Sequence, residues 1–193
     1  RADLGNYLQV LAARGFVAIA VGYSRAPEAR FPKPVQQTND ALAYVLANAH
    51  ELGVDPDRIF LAGDSAGAQI AAQSALVISD PSYAADLGIE PRIPRERLRG
   101  VVLFCGPHDP IGRKPSWLFR PYIRTVVWSY MGTRDLEQPH VKRMALVPHV
   151  TATFPPAFIS TGNDDPLAPQ SIALAKALKA KGVEIETLFF PED

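Results

Sequence analysis

Apolar positions switch repeatedly between two periods along this chain. Leu4, Leu8 and Leu11 recur at helical spacing, and Gly15 follows as a stop. Residues 16–21 are then continuously apolar, as expected of a strand covered on both faces. A proline-marked loop occupies 22–33. From Pro34 onward, Val35, Leu42, Val45, Leu46 and Ala49 fall largely on one helical face, ended by Gly53. The short run Ile59-Phe60-Leu61-Ala62 predicts a buried strand, and the small residues after it predict a helix over 66–79. Residues 80–96 are polar and rich in turn formers, which predicts a loop. Strands are predicted at 100–104, 157–160 and 184–190, with a helix marked by Ile172, Ala175 and Leu178 and stopped by Gly182. The segment 107–150 breaks the alternation, and its aromatic centre, 118–130, reads as a helix. Strand and helix in turn predict an α/β domain over 1–193, with a mainly parallel sheet and helices on both faces.

Composition narrows the function classes. The chain has 193 residues, enough for one domain with a core, and 47% are hydrophobic. Its 20 basic and 20 acidic side chains cancel, and no basic stripe points to nucleic acid or an anionic membrane. The longest apolar stretch, 16–21, is far too short to cross a bilayer. Cys105 is the single cysteine, so no internal disulfide forms and a reducing, cytoplasmic compartment is expected. It ends an apolar run and reads as a buried core thiol. Arg1 is not a natural start, so a leader upstream stays open.

Between the run at 59–62 and the helix at 66–79 lies Gly63-Asp64-Ser65-Ala66-Gly67. A G-x-S-x-G pentapeptide at a strand-to-helix turn forms a sharp nucleophile elbow. The serine backbone is strained there, and neighbours two positions away must lack bulk, which explains glycine at 63 and 67. Ser65 is therefore the candidate nucleophile. The Ala66 backbone N–H, at the helix start, is the candidate oxyanion-hole donor. Asp64 reads as a group that organises the elbow through hydrogen bonds rather than one that takes protons.

Three ordered motifs carry a family resemblance. Tyr23-Ser24-Arg25-Ala26-Pro27-Glu28 with Phe31-Pro32, then Gly63 to Gly67, then Gly162-Asn163-Asp164-Asp165-Pro166-Leu167 resemble three stretches of the hormone-sensitive-lipase-like esterases. The resemblance implies an α/β-hydrolase fold and a serine carboxylesterase that hydrolyses small-molecule esters through an acyl-enzyme, with no cofactor and no metal. An amidase or arylformamidase on the same machinery, or a non-catalytic ligand binder of the same fold, are the alternatives. The family pattern puts the triad acid immediately before Pro-Leu, at Asp165. Asp164 is the rival carboxylate, and helix capping is the non-catalytic role open to both.

Two family pieces are not found. A His-Gly-Gly-Gly motif is expected upstream of the first helix. The catalytic histidine is expected beyond Asp193, so the sequence reads as a piece of a longer domain. His50, His108, His140 and His149 all precede Asp165, which does not fit the order Ser, Asp, His on this fold. His108, beyond a strand end, reads as a surface-loop residue, with a place in the pocket lining as the alternative, and His149 reads as a loop residue. Residues 107–150 read either as an insert lining the substrate pocket or as a peripheral helix with ordinary core aromatics.

Overall fold

A computed structural model describes residues 2–109 and 120–190. The helices are α1 (Ala2–Ala13), α2 (Lys33–Ala47), α3 (Ala49–Leu52), α4 (Ala66–Ser79), α5 (Pro81–Leu87), α6 (Arg120–Met131), α7 (Pro139–Lys142) and α8 (Ala168–Ala180). The strands are β1 (Ile59–Asp64), β2 (Leu98–Phe104), β3 (Ala157–Thr161) and β4 (Ile185–Phe189). They form one parallel sheet in the order β1-β2-β3-β4.

Register divides the sheet into two faces. Leu61 pairs with Val101 and Val101 with Ala157, while Gly63 pairs with Leu103 and Leu103 with Ile159. Apart from half-buried Gly63, these residues are buried, and they pack in one core with Leu76 of α4 and Leu174 and Leu178 of α8. Each such aliphatic side chain contributes roughly 1.5–3 kcal/mol by leaving water. Both α4 and α8 step the chain across the sheet in the same direction. Right-handed crossovers therefore place them on this one face. The other face carries Phe60, Val102, Phe104 and Phe158, and these stay partly or largely exposed. Of the helices expected on both faces, those that pack firmly on the sheet cover one.

Helix α4 is the centre of the molecule. Every residue from 68 to 79 is buried, against β1, β2, α2 and α5. Its alanines let those neighbours approach closely, and a helix apolar on all sides belongs in a core. Two buried glutamines on it reach the segment after α7. Gln69 donates to the Met144 carbonyl at 2.6 Å. Gln73 donates to the Tyr83 hydroxyl, which donates to the Arg143 carbonyl at 2.9 Å.

Two expectations change. Residues 16–21 join no strand, and Phe16, Val17, Ile19 and Val21 are exposed. A cavity of about 420 Å³, lined by these four residues and by Ile59, Phe60 and Leu61, separates the segment from β1. A strand needs a partner about 4.8 Å away, and this run has none among the described residues. The predicted loop at 80–96 contains α5. Asp80 caps it, its carboxylate accepting from the Ser82 N–H at 2.8 Å, and Gly88 ends it at φ +64°. Elsewhere each predicted helix or strand between 34 and 190 is present within a few residues of its expected bounds.

Candidate active site

Ser65 links the end of β1 to the start of α4 with φ +50°. Positive φ is costly for a residue with a Cβ and persists only where the surroundings impose it. The imposing contact is visible at Gly63. A Cβ there would lie 2.3 Å from the carbonyl carbon of Gly67 and 2.6 Å from the Ala68 nitrogen. Gly67 differs from expectation: a Cβ on it meets nothing within 4 Å. The steric demand of the turn thus falls on Gly63 alone, because Gly63 points back at the helix while Gly67 points away.

The Ser65 N–H donates to the Phe104 carbonyl at 2.9 Å, and its own carbonyl accepts from Gln69 in the first turn of α4. The side chain is exposed and makes no capping bond, so the hydroxyl is not spent on the helix. Ala66, also exposed, is the first residue of α4, where the N–H has no partner within the helix. Asp64 is exposed, and its charge helps to raise the half-buried Tyr23 phenol, second to burial.

The acid loop follows β3. Asp164 is exposed, whereas Asp165 is half-buried. The Asp165 carboxylate accepts from the Thr161 hydroxyl at 3.1 Å and from the Leu167 N–H at 2.8 Å. Of the two rivals, Asp165 is the one fixed in direction. The Leu167 bond is local, of the kind aspartate makes in a turn two residues ahead. The Thr161 bond ties the same carboxylate to the sheet.

Strand register brings the candidate nucleophile and the candidate acid loop to one rim. Asp64 pairs with Phe104 and Phe104 with Ser160. One residue further on, Ser65, Cys105 and Thr161 stand side by side at the C-terminal ends of three neighbouring strands. That edge is where parallel sheets gather their ligands. Cys105 also has a positive φ, +52°, and its N–H donates to the Ser160 carbonyl at 3.0 Å. Its thiol is half-buried rather than a core group, and burial first, then a bond to Asp165, raise its pKa. No motif pointed to Thr161 or to this place for Cys105. The register alone reveals them.

His50 is exposed on α3 and His140 half-buried on α7. His149 sits in a single 3-10 turn with its ring 5.1 Å from that of Tyr83. His108 contradicts the surface-loop expectation, being fully buried with neither ring nitrogen hydrogen-bonded among the described residues. Its ring fills the space where a Gly106 side chain would project. Burial pushes its imidazole down to about 3. Thr161 and Leu167, which hold the Asp165 carboxylate, are not histidines. Among the described residues, no three of His, Cys, Asp and Glu converge as metal ligands would.

The loop that carries Tyr23 to Pro32 packs beside the site. Ser24 and Gln37 exchange two hydrogen bonds, which fix it to α2. The Phe31 N–H donates to the Tyr130 carbonyl, and the two rings meet edge to face at 5.9 Å. Ile123, Val127 and Met131 of α6 form a second small core with Val141 and Met144, and Phe31 and Leu167 pack against it. Thus the described part of 107–150 touches both the first motif and the acid loop. Trp117 and Phe119 lie outside the described residues.

Residues 6–193 match the model of an alpha/beta hydrolase fold family. The chain belongs to that family. The three-motif resemblance to hormone-sensitive-lipase-like esterases falls within it. The chain is 28% identical over 176 residues to Esterase LipQ of Mycobacterium tuberculosis, covering 87% of this chain and 39% of the relative. It is 30% identical over 185 residues to Carboxylesterase NlhH of the same species, covering 88% and 53%. The structure resembles that of esterase B from Lactobacillus rhamnosis, with TM-score 0.84, 23% identity and coverage of 96% and 59%. That level of identity speaks for the fold alone. A bacterial heroin esterase superposes with TM-score 0.70 at 31% identity, covering 91% of this chain and 57% of that one. The chain therefore spans about 40–60% of the length of these relatives. No helix among the described residues is long and apolar enough to cross a membrane.

Proposed function

We propose that this hydrolase is a serine carboxylesterase acting on short-chain esters. The Ser65 oxygen attacks the ester carbonyl, and its proton passes to a histidine that we place beyond Asp193. Asp165 holds that imidazole in the required tautomer and stabilises its positive form. The same histidine returns the proton to the departing alcohol. Water then attacks the acyl-enzyme, releases the acid and restores the Ser65 hydroxyl. The Ala66 N–H donates to the oxyanion in both halves. The aromatic segment 107–150, packed against Phe31 and Leu167, is assigned to the substrate pocket. The single cysteine supports a reducing, cytoplasmic setting.

The observation that carries this reading is Ser65 itself. Its backbone is held at φ +50° while its hydroxyl is exposed and uncommitted. Strain of that kind, a cost of order 1–3 kcal/mol, clusters at active sites. Esterase relatives on the same fold support the choice of reaction. In the native protein, a fluorophosphonate should label Ser65, and Ser65→Ala should lower turnover of p-nitrophenyl butyrate by about 10⁶. Alanine fits the turn and lacks only the oxygen. Activity within tenfold of the parent in that variant would remove the nucleophile role.

A further inference from the structure

The rim of the sheet holds more than a nucleophile and an acid. Ser65, Cys105 and Thr161 are level on three adjacent strands, and the Asp165 carboxylate folds back over the last two. Two strand spacings put Ser65 and Thr161 about 10 Å apart across the sheet. One imidazole with a hydrogen bond of about 2.8 Å at either end spans roughly 8 Å between oxygen atoms, on the order of that backbone separation. The route from Asp165 toward Ser65 therefore passes over Cys105.

A carboxylate can serve a histidine only if it does not rotate. The Leu167 N–H fixes Oδ1 at 2.8 Å, and this bond moves with the loop because it spans only two residues. The Thr161 hydroxyl fixes Oδ2 at 3.1 Å from within the strand, and Thr161 is buried at 4% exposure. We propose that Thr161 is a positioning residue for Asp165. The hydroxyl locks the carboxylate to the end of β3. The inference rests on the esterase reading above.

Turnover in the native protein tests the hydroxyl. Thr161→Val keeps the shape and removes the donor. Its kcat should fall about tenfold with KM within twofold, since the substrate is still bound and only the acid is loosened. Thr161→Ser restores the donor and should recover at least half of the lost kcat. Loss in both variants alike, or no loss in Thr161→Val, overturns the proposal. The Ser65→Ala control separates the two readings. If that variant keeps the parent rate, the esterase assignment falls and the positioning role with it. If it is dead while Thr161→Val matches the parent, only the positioning role falls.

A second measurement needs no turnover. Cys105 is the single cysteine of this sequence, and a Cys105→Ser blank isolates its reaction with a disulfide reagent such as DTNB. A neighbouring carboxylate disfavours the thiolate. Asp165→Asn should therefore speed the reaction severalfold at pH 8, whereas Asp164→Asn leaves it within twofold. Equal rates in the two variants would show that the Asp165 carboxylate does not lie over the strand ends where Thr161 would hold it, and would overturn the proposal.

Discussion

Gly63 and Asp165 show how much a single residue decides here. A Cβ at 63 would overlap the backbone of Gly67 and Ala68, and backbone cannot swing aside as a flexible side chain does. Gly63→Ala should cost on the order of 1–3 kcal/mol, the usual range for forced overpacking. Gly67→Ala adds a methyl in open space near the start of α4 and should leave stability unchanged or slightly raised. Urea midpoints of the two variants check this. A Gly63→Ala variant as stable as the parent would mean the elbow has slack. At the acid loop the contrast lies between neighbours. Asp165→Asn keeps the shape but presents an amide to the histidine, and kcat should drop by about 10⁴. Asp164, exposed, should tolerate the same change within a fewfold. The reverse order of kcat values would move the acid role to Asp164.

At the scale of elements, what the sequence revealed was local, and what it hid was relational. The runs at 59–62 and 100–104 are short, apolar and bounded by turn formers, so β1 and β2 were legible from those residues alone. The run at 16–21 carries the same signal, yet pairing depends on a partner strand that no local pattern specifies. The same limit applies to the site. Ser65 and Asp165 sit in recognisable motifs, but Thr161 and Cys105 join them only through the strand register. Helix α5 was missed for another reason. Asp80-Pro81 reads as a turn, but aspartate before proline is also a start signal, with Gly88 as its stop. The Asp80 carboxylate accepts from the Ser82 and Tyr83 N–H groups. Asp80→Ala should thus cost about 1 kcal/mol of stability. An unchanged denaturation midpoint would show that α5 is held by Tyr83 and Leu87 packing alone.

The molecule as a whole carries one buried base whose protonation opposes folding. His108 is fully enclosed, both ring nitrogens lack partners among the described residues, and burial holds its folded pKa down at about 3. Unfolded, the ring returns to about 6.5. Above that value it is neutral in both states and has no effect on the pH dependence. Between the two values the unfolded chain binds a proton that the folded one refuses, so stability falls as pH falls. The slope approaches 1.4 kcal/mol per pH unit, or roughly 2–3 kcal/mol between pH 6.5 and 4.5. Carboxylates also titrate toward the lower end of that window, so the parent alone is not diagnostic. His108→Leu removes this one titration and leaves the others, and the difference between the two proteins isolates it. Urea unfolding at pH 7 and pH 4.5 should show the parent losing about 2–3 kcal/mol more than the variant over that interval. The variant also removes two buried, unpartnered nitrogens, so it should be no less stable than the parent at pH 4.5. Equal losses in the two proteins would mean that the His108 ring reaches water or a partner in the folded state.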